Sequence, residues 1–147
     1  MTGANAHGLV DGGGALVLSD KPRGKSLGTL ASWAVAAVEP RRMAYATVPA
    51  IQEAVRRAGW KVGDVDLFEV NETFAAQLLV VQRTLDLPSE RLNVNGGAVA
   101  LGHPFGATGS RLVLTLLLQL RRSGLKRGVA AVCIGGGQGV ALALEAA

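Results

Sequence analysis

Two side chains suited to proton exchange, His103 and Cys133, each stand in a glycine-rich stretch. His103 lies within 93–109, Asn-Val-Asn-Gly-Gly-Ala-Val-Ala-Leu-Gly-His-Pro-Phe-Gly-Ala-Thr-Gly, and Cys133, the one cysteine, leads through Ile134 into Gly135-Gly136-Gly137. Glycine permits positive φ and close approach of backbone to a ligand, so these stretches predict a site made largely of main chain, with His103 and Cys133 as its titratable groups. An imidazole and a thiol among bare N–H groups suit proton transfer beside a developing oxyanion. Each has a plainer reading, the cysteine as inert core of an apolar strand and the histidine as a solvated loop residue. The turn at 106–109 enters a helix but lacks the lysine and spacing of a phosphate-binding P-loop.

The elements that must position these groups alternate. Short strands are expected at 14–18, 27–38, 65–70, 92–94, 129–134 and 138–145. A helix is expected from Thr47, read as its cap, with Pro49 in its first turn, to a stop at Gly59; Glu53 and Arg57 pair on its wet side. Further helices are expected at 72–83 and 107–122. Asn71 reads equally well as the cap of the first of these or as a site residue. The helix at 107–122 carries Leu112, Val113, Leu114, Leu116, Leu117, Leu118 and Leu120, which predicts burial on nearly every side. Alternating strands and helices imply a layered α/β domain.

Composition narrows the function. The 147 residues suffice for one domain; 49% are hydrophobic and 18% charged, an apolar balance that calls for a covering partner. Net charge is +4, but the basic residues form no stripe, which favours an anionic small molecule over nucleic acid. A single cysteine excludes an internal disulfide and a cysteine-based zinc site and fits a reducing cytoplasm. Residues 1–18 lack the pattern of a secretion signal, and the apolar run 112–120 is too short for a bilayer. The Pro- and Gly-containing stretch 21–26 is the candidate linker, with 27–147 as the domain proper.

Four ordered motifs resemble the C-terminal half of a thiolase, an acetyl-CoA C-acyltransferase: Asn5-Ala6-His7-Gly8-Leu9-Val10-Asp11-Gly12, Val70-Asn71-Glu72-Thr73-Phe74-Ala75-Ala76, the His103 stretch, and 133–139. The resemblance implies a thiolase-like layered α/β fold with a mixed, mainly five-stranded sheet and helices on both faces. It implies that coenzyme A thioesters are the substrates, with no metal and no bound cofactor. By this likeness Cys133 is the acid/base cysteine, His103 activates a nucleophilic cysteine and holds the thioester oxygen through Nε2–H, Asn71 fixes a water in the first oxyanion hole, and the Gly135 N–H serves the second. His7, Phe74, Gly102 and Pro104 fall along the substrate channel, although His7 also reads as an exposed residue of a flexible N-terminus.

The pattern departs from the family in that the nucleophilic cysteine belongs to an N-terminal thiolase domain that these residues do not include, and in that 21–26 is shortened where the family usually has a helix leading into the second domain. Residues 1–20 match the strand that returns to that domain. Three expectations follow: a subunit of a split thiolase, a piece of a longer enzyme, or a non-catalytic interaction or acyl-CoA-binding subunit that keeps the fold. The first two require a homo- or hetero-oligomeric or covalently linked partner and imply no turnover by the chain alone.

Overall fold

The computed structural model describes residues 2–21 and 24–147. Pro22 and Arg23 of the expected linker lie outside the described residues. Four strands form one mixed sheet: β1 (Gly28–Ala37), β2 (Leu67–Val70), β3 (Arg127–Ile134) and β4 (Gln138–Ala146), in the order β1-β4-β3-β2. β1–β4 and β4–β3 are antiparallel, while β2–β3 is parallel, Leu67 opposite Gly128 and Val70 opposite Ala131. Helix α1 (Thr47–Arg57) and helix α2 (Ala75–Thr84) cover one face; α4 (Phe105–Ser123) covers the other, preceded by the single turn α3 (Ala98–Leu101).

Alternation along the strands builds two apolar layers. Val129, Ala131, Ala141 and Ala143 point toward Val48, Ile51 and Val55 of α1 and Val81 of α2. Ala130, Leu144 and Ala146 face Leu112, Val113, Leu116, Leu117 and Leu120 of α4. β4 and α1 approach so closely at Gly139 that a Cβ there would strike the Ala46 carbonyl. On the wet side of α1, Glu53 binds Arg57 at 2.7 Å, as expected, and also Arg56 at 2.8 Å; the two arginines hold its carboxyl down at about 2.

Several expectations change. The sheet has four strands, not five. Residues 92–94 supply one bridge, Leu92 to Phe68, because Asn93 turns the chain with φ 49°. Its side chain replaces the missing ladder: Oδ1 accepts from the Val70 N–H and Nδ2 donates to the Val70 carbonyl, both at 2.8 Å. Residues 14–18 are exposed and join no sheet, so the expected strand is absent there. α2 starts three residues later than expected, at Ala75, and its cap position is the extended Phe74 rather than Asn71. Thr47 is the first residue of α1, not its cap; its fully buried hydroxyl instead accepts from Gln77 Nε2 at 3.5 Å.

α4 is not buried all round. Its leucines divide into a buried sheet side and an open side on which Leu118 is 49% exposed. The same side of the sheet leaves Trp33 and Val35 of edge strand β1 and Ile134 of β3 uncovered, because α4 lies over β2, β3 and the end of β4 only.

If the Asn93 clamp holds the end of β2, Asn93→Ala removes two hydrogen bonds and places a Cβ-bearing residue without local polar support at positive φ. The expected cost is about 3 kcal/mol, read as a lower midpoint in urea unfolding; an unchanged midpoint would show that β2 ends there for another reason.

Candidate active site

β2 and β3 run parallel, so both carboxyl ends reach the same edge of the sheet, the place where open α/β sheets bind ligands. Asn71 follows β2 directly, and its N–H bonds the Ala131 carbonyl at 2.9 Å. Cys133 is the penultimate residue of β3 and 8% exposed. The Asn71 side chain is fully buried, and neither its amide oxygen nor its nitrogen has a protein partner. Gly135 is exposed in the β3–β4 turn, with open space where a Cβ would point. Positive φ at Gly136 and Gly137 makes this turn, and the Gly137 carbonyl ties it to the Val38 N–H at 2.8 Å.

His103 comes to the same edge from the other face. Gly102 stops α3 with φ 88°, and Val10 lies where a side chain would sit, so this position requires glycine. The His103 N–H bonds the Gly8 carbonyl at 2.9 Å, and Pro104 caps α4. Thr108 Oγ1 donates to the Pro104 carbonyl at 3.1 Å, which uses its one proton. It therefore accepts from His103 Nδ1–H at 2.6 Å. This assignment leaves Nε2 as an acceptor in the neutral ring, and the expected Nε2–H donor forms when the ring takes a proton there. Burial, with the positive character of His7 and Arg111, lowers the pKa of His103, so the ring is neutral at pH 7 and Nε2 can take a proton.

The N-terminal segment stitches the two halves of the site together. The His7 N–H bonds the Thr73 carbonyl at 3.4 Å, and Ala6 bridges Phe74. The His7 ring meets His103 edge to face at 4.6 Å, and both rings contact Phe105 in the same manner. His7 is thus a partly buried neighbour of His103 rather than a free terminal residue. Phe74, Gly102 and Pro104, also singled out, lie along this seam, Pro104 against Gly12.

Thr73 Oγ1 lies 2.9 Å from Cys133 Sγ. Burial pushes the Cys133 thiol up, with Thr73 opposing, so the thiol form prevails at neutral pH. Sequence reasoning passed over Thr73, although a hydroxyl two positions after Asn71 was the available signal. It also passed over Glu72, whose Oε2 accepts from the Val99 N–H at 2.9 Å and so fixes α3 beside the Gly97 backbone. A third omission is the pair Glu69–Arg111, joined at 3.4 Å between β2 and α4.

Two hollows lined by described residues lie away from these side chains. One of about 290 Å³ is lined by Val62, Leu85, Leu87 and Arg91, and another of about 410 Å³ sits at the amino ends of β2 and β3, by Asp66 and Arg127. The histidine, cysteine and asparagine instead stand at an open sheet edge. Among the described residues no cluster of three or more ligating side chains could hold a metal ion, and no helix is long and apolar enough to cross a membrane.

A mixed α/β sheet that gathers a neutral imidazole, a thiol and an unpartnered buried amide at the ends of its parallel strands is a domain equipped for acid/base chemistry. Comparison with known proteins specifies which. Residues 24–146 match the family described as thiolase, C-terminal domain. The chain is 49% identical over 150 residues to the cytosolic acetyl-CoA acetyltransferase of Mus musculus and 47% to the acetyl-CoA acetyltransferase of Shinella zoogloeoides, in each case 99% of this chain and 38% of the relative. Among solved structures it resembles human mitochondrial 3-ketoacyl-CoA thiolase in complex with CoA, with a TM-score of 0.82 and 46% identity over 84% of this chain and 31% of that one. The chain belongs to the thiolase family, and its fold is the family's C-terminal domain.

The buried Glu69 gives this site a pH signature. Burial raises its carboxyl to about 7 despite the Arg111 charge, and Glu72 adds to the upward push. A carboxyl whose folded value lies above its unfolded one contributes stability in full below about 4.5 and loses it as pH rises toward 7, a change of about 3 kcal/mol. Denaturant midpoints of the wild-type chain should fall across that window, and Glu69→Gln should flatten the fall; the same slope in both would assign the pH dependence elsewhere.

Proposed function

We propose that these residues form the C-terminal half of a thiolase active site, which transfers acyl groups between coenzyme A thioesters once a nucleophilic cysteine is brought to it by an N-terminal thiolase domain, on the same polypeptide or on another. The observation that supports the reading is that His103 is linked, through His7 and Thr73, to the strand ends that carry Asn71 and Cys133, in a chain of this family. The chain covers 38% of the length of the acetyltransferases it matches, so the whole enzyme needs more than these residues.

In thiolysis the neutral His103 takes the proton of the incoming cysteine thiol at Nε2. The resulting thiolate attacks the 3-keto carbon of a 3-ketoacyl-CoA. As the bond between C2 and C3 breaks, its electron pair passes into the thioester as an enolate. The enolate oxygen meets His103 Nε2–H, now charged, and a water held by the Asn71 amide, which has no protein partner of its own. Cys133 gives its S–H proton to C2, releasing acetyl-CoA. Coenzyme A then enters, its thiol yields a proton to the Cys133 thiolate, and the CoA sulfur takes the acyl group from the nucleophile through a tetrahedral oxyanion at the Gly135 N–H; the nucleophile leaves as a thiolate and recovers its proton from His103. Residence of Cys133 as a thiol suits the step in which it donates. Condensation runs through the same groups in reverse.

The uncovered side of the sheet, with Trp33, Val35 and Ile134 exposed, and the open side of α4 at Leu118 supply the apolar surface for the N-terminal domain. Residues 9–18, exposed here with Leu9, Val17 and Leu18 in water, are the natural strand for that domain to accept.

Acetoacetyl-CoA thiolysis should be undetectable with this chain alone and measurable when a thiolase N-terminal domain is supplied separately or fused ahead of residue 1. Cys133→Ala and His103→Ala should each lower kcat by at least about 100-fold. A folded complex that turns over no faster than the isolated domains, or one indifferent to His103, would refute the thiolase assignment and favour a non-catalytic acyl-CoA-binding role.

A further inference from the structure

We propose that Thr73 is a positioning residue for the proton that Cys133 carries, its hydroxyl accepting from the thiol and donating to the thiolate. The proposal rests on the thiolase reading for its catalytic meaning, but its physical content concerns only this pair.

Cys133 sits at the end of β3, surrounded by strand and by the partly buried loop at 71–74. A thiolate formed there has lost most of its water and needs a donor. Among the described residues, the side chain within hydrogen-bond range of the sulfur is Thr73, at 2.9 Å, short for a bond to sulfur. A hydroxyl is the suitable partner because it rotates: it can accept from S–H and then donate to S⁻ without moving a heavy atom. A lysine or arginine would stabilise only the thiolate and would oppose its reprotonation.

The backbone fixes Thr73 on three sides. Its N–H reaches Gln77 Oε1 at 3.3 Å, its carbonyl accepts from the His7 N–H at 3.4 Å, and the preceding Glu72 carboxylate is held by the Val99 N–H. Gln77 is itself fully buried against Thr47. Thr73 therefore has its backbone held in place while its hydroxyl proton stays free to turn. This also explains why α2 begins only at Ala75: residues 72–74 are committed to α3, to Cys133 and to the N-terminal segment. The downward influence of this bond on the thiol agrees with the geometry.

Because Cys133 is the chain's one cysteine, its thiolate fraction can be read directly from the rate of alkylation by iodoacetamide between pH 7 and 9, without turnover. Thr73→Val keeps the side-chain shape and removes the hydroxyl. Loss of one hydrogen bond to the thiolate should cut its population about tenfold, and the greater nucleophilicity of a more basic thiolate offsets part of this, so alkylation slows about threefold. Thr73→Ser should react within about twofold of wild type. A Thr73→Val rate equal to or above wild type, or a Thr73→Ser rate as low as that of Thr73→Val, would overturn the proposal. If the valine variant does not fold, Thr73→Ala in the assembled enzyme carries the test: the limb of the kcat profile set by Cys133 should move up by about one pH unit, and an unmoved limb would overturn the role of Thr73. The alkylation result is independent of catalysis, so its failure is distinct from failure of the thiolase reading, which the Cys133→Ala turnover assay decides.

Discussion

The parallel pairing of β2 with β3 is the constraint on which the rest depends. Four residue pairs, Leu67 with Gly128 through Val70 with Ala131, put two carboxyl ends at one edge and so bring Asn71 beside the strand that carries Cys133. An antiparallel arrangement would send Asn71 to the far end of the sheet. The pair is short for its task. It is held by complete burial of β2, by the Asn93 amide gripping Val70, and by Asp66, whose carboxylate accepts from the N–H groups of Lys126 and Arg127 at 2.9 and 2.8 Å. Burial brings Glu69 into the interior as well, where Arg111 of α4 answers it. The same strand that positions the site therefore carries the main titratable strain in the fold.

Around that edge the chain spends polar groups on placement rather than on regular structure. Glu72 holds α3, Thr73 holds the cysteine, Thr108 orients the imidazole, and the segment at 6–8 ties the loop after β2 to the loop before α4. Each is a backbone or hydroxyl contact that leaves the atoms proposed to transfer protons, His103 Nε2 and Cys133 Sγ, uncommitted to a fixed charge. A neutral imidazole and a neutral thiol suit a reaction in which protons enter and leave both groups within one cycle. Large apolar side chains on the uncovered side of the sheet and of α4 fit the proposed covering by an N-terminal thiolase domain.

The sequence disclosed the α/β layering, the helix at Thr47 and the strands β1, β3 and β4 through periodicity, and it put forward His103 and Cys133 as candidates through their glycine surroundings. The strand expected at 92–94 failed because a side-chain amide can imitate a ladder, which hydropathy cannot register. Thr47 and Asn71 are residue types that favour caps, yet both are buried by tertiary contacts that local propensity ignores. The all-round apolar α4 called for a covering layer that 147 residues can hardly supply, and the described residues do leave one of its sides open, with Leu118 exposed. Thr73 was hidden because the contact that gives it meaning spans 60 residues.

The central claim is that this chain supplies the acid/base half of the site and no nucleophile. Intact-mass spectrometry after mixing the assembled enzyme with acetoacetyl-CoA and no free coenzyme A tests it directly. The account predicts an acetyl adduct on the cysteine of the N-terminal domain, absent in the His103→Ala variant, and an unmodified Cys133. Acetylation of Cys133 itself, with the N-terminal cysteine left free, would contradict it.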